Sequence, residues 1–133
     1  MVKNSPSLDT NCLLRWVLKD IPEEAQSVQR LLGSGLDFYV ADVAITEVVY
    51  VLEKVYSLPR EAVASNVQTI IATENIICSR TFFQAVLPIY IRHPAISFVD
   101  CQLALHAELL SKKPLYTFDK KLAAQLDQAK LLK

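Results

Sequence analysis

Apolar residues recur at spacings of three and four in several stretches of the chain, and turn-forming or charged residues separate them. That is the mark of helices with one buried face. After Leu8, the run CLLRWVL with Arg15 and Lys19 predicts a short amphipathic helix ending near Ile21 and Pro22. Pro22, Glu23 and Glu24 then open a second helix, with proline at its first position and acids in its first turn, and Gly33-Ser34-Gly35 stops it. DFYVAD reads as a strand leading straight into AITEVVYVLEKVY, where Ile45, Val48, Val49, Leu52, Val55 and Tyr56 keep helical register. Pro59 and Arg60 start another helix with Val63, Val67, Ile70 and Ile71 on one face.

NIICS is a short apolar piece, and RTFFQAVLPIYIRH predicts a helix broken or kinked at Pro88, because an interior proline removes a backbone hydrogen bond. SFVDCQLALHAELL is apolar on almost every side and predicts a helix buried in the middle of a domain. PLYTF is a last strand candidate, and DKKLAAQL begins a helix with Leu122, Ala123 and Leu126 in register. Short strands alternating with helices give the α/β class with a parallel sheet, because parallel neighbours need a crossover that is usually helical. The weak place is the first strand. Asn4, Ser5, Pro6 and Ser7 are poor strand residues, and Pro6 has no N–H to give a ladder.

With 133 residues, 52% hydrophobic and 21% charged, the chain fits one compact domain over residues 1–133 with little linker. Lysine plus arginine and aspartate plus glutamate number 14 each, so no global positive field marks a nucleic-acid binder, and any polyanion must be held locally. Cys12, Cys78 and Cys101 are odd in number and show no CxxC spacing, which fits buried thiols in a reducing compartment better than disulfides or zinc. The N-terminus MVKNSPSLDT has no signal-peptide apolar region, and no apolar stretch nears the roughly 18 residues of a membrane span. The expectation is a soluble cytoplasmic protein.

The acids change this picture. Asp9 follows the candidate first strand, Glu47 sits in the first turns of the helix after FYVA, and Asp119 directly follows LYTF. Asp100 opens the buried helix. In a parallel sheet, strand ends and the following helix starts share one edge, where ligands bind. Carboxylates gathered there cannot all stay ionised unaided, since two unit charges about 4 Å apart repel by roughly 4 kcal/mol at an effective dielectric near 20. A hard divalent cation removes the conflict, and oxygen donors without a His or Cys set suit Mg²⁺ or Mn²⁺. Such an ion implies phosphodiester hydrolysis.

Each acid also has an ordinary reading. Asp9 or Asn11 caps a helix, Ser97 to Asp100 matches a capping box, and Asp119 caps the helix after it. Glu47, followed by Val48, Val49, Tyr50 and Val51, and Asp100, in an apolar helix, fit caps less well, because acids in such company need a partner. Glu53 and Lys54 read as a solvated face, His106 as a hydrogen-bonded core histidine, and Phe82, Phe83 and Tyr90 as core rather than a base-stacking surface.

The order LDTNCLLRW, ITEVVYVLEK, SFVDCQLALHA, LYTFDKKL closely resembles the PIN-domain family, most of all the small toxin ribonucleases of bacterial toxin–antitoxin pairs, over nearly the whole chain. The resemblance implies a three-layer α/β/α fold around a central parallel sheet of four or five short strands and a metal-dependent endoribonuclease. It matches Asp9, Glu47, Asp100 and Asp119 to the family's acidic quartet, and Asn11 and Thr117 to polar positions that support it. It further implies one or two Mg²⁺ or Mn²⁺ ions, an RNA substrate, homodimers and a cognate antitoxin protein. KNSPSL stands where the family has an apolar first strand. Arg15, Lys120 and Lys121 are the candidates for phosphate contacts. Two rivals remain: a PIN-like module that binds RNA or protein without cutting, and a phosphate-accepting receiver domain, which wants paired acids where Asp9 stands alone.

Overall fold

The computed structural model describes residues 4–133, which fall into two compact units, one running to Gln84 and one covering Ala85–Lys133. The KNSPSL expectation therefore touches one residue, Lys3, outside the described part.

In the first unit, α1 (Thr10–Leu18) packs on α2 (Pro22–Leu32), α3 (Asp42–Lys54) and α4 (Arg60–Ala72). Lys19 ends α1 in the left-handed region, at φ 56°, two residues ahead of the expected stop. Pro22 then starts α2, with Glu23 and Glu24 in its first turn, as its sequence predicts. The predicted apolar faces are the buried ones: Ile45, Val48, Val49 and Leu52 on α3, and Val63, Val67, Ile70 and Ile71 on α4. Each such side chain contributes roughly 1.5–3 kcal/mol by leaving water. Arg80 closes the end of α4, its guanidinium donating to the carbonyls of Ile71, Thr73 and Ile76. A cation is favoured at that negative helix end.

Strand β1 (Phe38–Tyr39) pairs in parallel with β2 (Ile76–Ile77), and Ser7 forms an isolated parallel bridge to Tyr39. The bridge explains how Pro6 is accommodated. Leu8 N–H donates to the Tyr39 carbonyl at 3.0 Å, and Tyr39 N–H donates to the Pro6 carbonyl at 2.8 Å. The pairing takes from Pro6 only an acceptor, so its missing N–H costs nothing.

Helix α5 (Arg80–Arg92) runs across the boundary between the units and is continuous through Pro88, so of the expected break or kink the break does not occur. Pro88 is exposed, as is Gln84, whose carbonyl loses its helical partner and can turn to water.

In the second unit, α6 (Phe98–Leu109) packs on β3 (Leu115–Thr117), which pairs in parallel with β4 (Ala129–Leu131) after the short α7 (Lys120–Gln125). Tyr90 and Phe98 meet edge to face at 5.3 Å in its core. Sequence pattern missed β4, because Ala-Lys-Leu carries no β-branched or aromatic residue. Helix α6 is not buried all round: Phe98, Cys101, Gln102, Ala104, Leu105 and Ala107 face inward, while Val99, Leu103 and Leu109 are exposed. The α/β class with parallel pairing holds. Among the described residues the pairing forms two two-stranded ladders and one bridge.

Candidate metal and RNA site

Asp9 is the N-cap of α1, its Oδ1 accepting the Cys12 N–H at 2.9 Å. The Cys12 amide, then the Cys12 thiol and the Asn11 amide, hold the Asp9 carboxyl below its usual range against a small opposing effect of burial. Burial first, then the bond to Asp9, pushes the Cys12 thiol up, and burial does the same for Cys78. Both thiols are thus poorly placed to act as nucleophiles near neutral pH. Asn11 reaches Asp9 through its backbone amide, and it is exposed.

Glu47 stands one and a half turns into α3, after β1, as its position in the sequence implies. The reasoning that it is enclosed by apolar neighbours fails. Val48, Val49 and Leu52 turn to the core while Glu47 shares an exposed face with Val43 and Tyr50. Its partner is Thr10, whose Oγ1 donates to Glu47 Oε1 at 2.9 Å. This contact ties the start of α1 to α3 and brings the Asp9 segment and Glu47 to one end of the first unit. Thr10 was absent from the predicted site. The available signal was a hydroxyl at the first helical position, directly after a candidate ligand.

In the second unit, Asp100 lies in the first turn of α6 and is half-buried, not enclosed. Ser97 Oγ accepts its N–H at 3.1 Å, so the cap expected there is present. Asp119 caps α7, its Oδ1 accepting from Lys121 N at 2.9 Å and Leu122 N at 3.1 Å. Thr117 supports it through the backbone: Thr117 Oγ1 accepts the Asp119 N–H at 2.9 Å. Lys120 and Lys121 are exposed beside it.

Arg15 is otherwise engaged. Its guanidinium donates to Asp20 Oδ2 at 2.9 Å and to the Tyr56 hydroxyl at 3.0 Å, and Tyr56 donates to the same Asp20 oxygen at 3.1 Å. The Tyr56 bond, ahead of the Asp20 charge, raises the guanidinium further above neutrality. His106 is exposed, not a core residue, whereas Phe83 and Tyr90 are buried as expected and Phe82 is half-buried. A groove of about 350 Å³ in the first unit, lined by Leu32, Gly33, Gly35, Leu36, Asp37, Glu74 and Asn75, lies at the amino-terminal ends of β1 and β2 and includes none of the four acids.

The donor set is all oxygen, which suits a hard cation. Among the described residues no three His, Cys, Asp or Glu side chains stand together as a metal-holding group. No helix among them is long and apolar enough to cross a membrane.

No curated protein matches the chain. The sequence pattern that defines the PIN domain matches residues 7–127, a span that takes in Asp9, Glu47, Asp100, Asp119 and elements of both units. With that match over most of its length, the chain belongs to the PIN-domain family.

Proposed function

We propose that the chain is a Mg²⁺- or Mn²⁺-dependent endoribonuclease that hydrolyses RNA phosphodiester bonds in the cytoplasm, as the toxin of a toxin–antitoxin pair. PIN domains are generally metal-dependent nucleases, and the family match over residues 7–127 is the observation that carries the reading. The positions of the four acids support it: Asp9, Glu47 and Asp119 follow paired strand segments, and Asp100 lies in the first turn of α6.

In this reading residues 1–133 form one PIN-like domain with a parallel sheet of four or five short strands, and Asp9, Glu47, Asp100 and Asp119 are the metal ligands. Asp9 and Asp119 already use Oδ1 as caps, so Oδ2 of each would meet the ion. A bound Mg²⁺ or Mn²⁺ supplies polarisation of a phosphoryl oxygen and a water of lowered pKa. Thr10 holds Glu47 by one oxygen, Thr117 fixes the backbone of Asp119, and Asn11 steadies Asp9 through its amide. Lys120 and Lys121 take the phosphate backbone. Arg15 joins them only by leaving Asp20 and Tyr56. A homodimer and a cognate antitoxin that covers the site complete the proposal.

The absence of a three-residue metal group among the described residues favours a second reading, a PIN-like module that binds RNA or protein without cutting it. One experiment separates the two. Purified chain, freed of any antitoxin, is incubated with RNA in Mn²⁺ or Mg²⁺, in excess EDTA, and as the Asp100→Asn variant. The nuclease reading expects cleavage that stops in EDTA and falls on the order of 100-fold in the variant. RNA binding with no metal-dependent product gives the second reading instead.

A further inference from the structure

The β3–β4 ladder has one face turned inward and one turned to solvent. Leu115 and Thr117 are half-buried and Ala129 is buried, while Tyr116 and Lys130, which stand opposite each other in the register, are exposed. The Thr117–Leu131 pair ends the ladder, with Leu132 N–H donating to the Thr117 carbonyl at 2.8 Å. Phe118, in the bend just after β3, is 76% exposed. Tyr116 is 58% exposed.

The chain segment that carries these rings has one-sided charge. Between residues 112 and 133 six lysines stand against two aspartates, in a chain whose 14 basic and 14 acidic residues balance overall. Lys112, Lys113, Lys120, Lys121, Lys130 and Lys133 are all exposed. Two exposed aromatics in a lysine-rich segment, with Lys130 opposite Tyr116, have the chemistry to stack bases and neutralise phosphates. An apolar protein partner would gain nothing from the lysines.

We infer that the outward face of β3–β4, carrying Tyr116 and Lys130, together with Phe118 in the bend after β3, binds unpaired RNA by stacking bases on the two rings. The choice of nucleic acid rests on the nuclease reading above. Duplex RNA is refused, because its base faces are covered by their neighbours. The face thereby selects single-stranded segments for cutting.

The test is fluorescence anisotropy with a labelled single-stranded oligonucleotide in EDTA, so that nothing is cut. Phe118→Ala and Tyr116→Ala are expected to weaken binding on the order of ten-fold each, with Phe118→Trp and Tyr116→Trp near wild type. Lys130→Gln should reduce the salt dependence, log K against log salt, by about 0.7. A duplex of equal length, or a strand lacking bases, should bind the wild type on the order of ten-fold or more weakly and be indifferent to the alanine changes. Circular dichroism verifies folding, and the Trp variants guard against misfolded Ala variants. Wild-type affinity in both Ala variants, or equal affinity for duplex and abasic strands, overturns the inference. So does a change in sedimentation without a change in RNA affinity, which marks the face as a protein contact. Cleavage in Mn²⁺, measured in parallel, keeps the two ideas apart. A chain that cuts but ignores these substitutions sinks only the stacking face, and one that binds through the face but never cuts sinks only the nuclease.

Discussion

Asp9 acts as a helix cap through one carboxylate oxygen, and a cap does not exclude a metal ligand that uses the other. The two roles come apart by substitution. Asn caps a helix about as well as Asp, whereas Ala forfeits the bond at a cost of about 1 kcal/mol. Urea denaturation should therefore find Asp9→Asn within a few tenths of a kcal/mol of wild type and Asp9→Ala about 1 kcal/mol less stable, while both lose cleavage. A stable, active Asp9→Asn would leave the cap as the residue's whole role. The same carboxyl gives a pH signature. Its folded pKa lies below the ordinary value because the Cys12 amide, and then the Cys12 thiol, favour the charged form. The stability this contributes is fully present above the unfolded pKa and is lost as pH falls through the lower folded one. Melting temperatures of wild type should accordingly converge on those of Asp9→Ala as pH drops below about 4, and a constant gap would contradict this. At this scale the caps were legible in sequence because capping is local. The exposure of Glu47 was not, because its neighbours along the chain turn away from it around the helix, and its real partner, Thr10, lies 37 residues distant.

The helices of the first unit could be read from periodicity nearly to the residue, as Pro22–Leu32 shows, since each needs only a repeating buried face and a stop signal. Strands of two or three residues offer too little pattern, and β4 escaped notice. Proline rules mark a local cost without saying whether the surroundings meet it. Pro6 is accommodated because the bridge asks only for its carbonyl, and Pro88 because it lies on the exposed side of α5. The latter still carries a penalty for the lost helical bond. Pro88→Ala should raise the unfolding free energy by about 1–3 kcal/mol and lift the melting temperature. An unchanged or lower melting point would mean that α5 depends on the proline for its packing. Helix α6 taught the reverse lesson, for an apolar composition predicted burial on all sides while Val99, Leu103 and Leu109 remain exposed. Composition does not say which faces find a neighbour.

Across the whole molecule, balanced charge conceals the lysine-rich stretch from residue 112 onward, which only position along the chain reveals. Family membership was legible because the order and spacing of the acids span both units. Spacing fixes where each acid enters its element but not the distances between them. The central claim is the proposed metal-dependent RNA cleavage in which Asp9 and Asp119 act as a unit, and the kinetics of a double-mutant cycle test it directly. RNA cleavage rates in Mn²⁺ are compared for wild type, Asp9→Asn, Asp119→Asn and the double variant. Groups that act as a unit are grossly non-additive. Each single change should reduce the rate on the order of 100-fold or more, and the double change should reduce it little further. Losses that multiply in the double variant, or a single variant that cuts at the wild-type rate, would contradict the proposal.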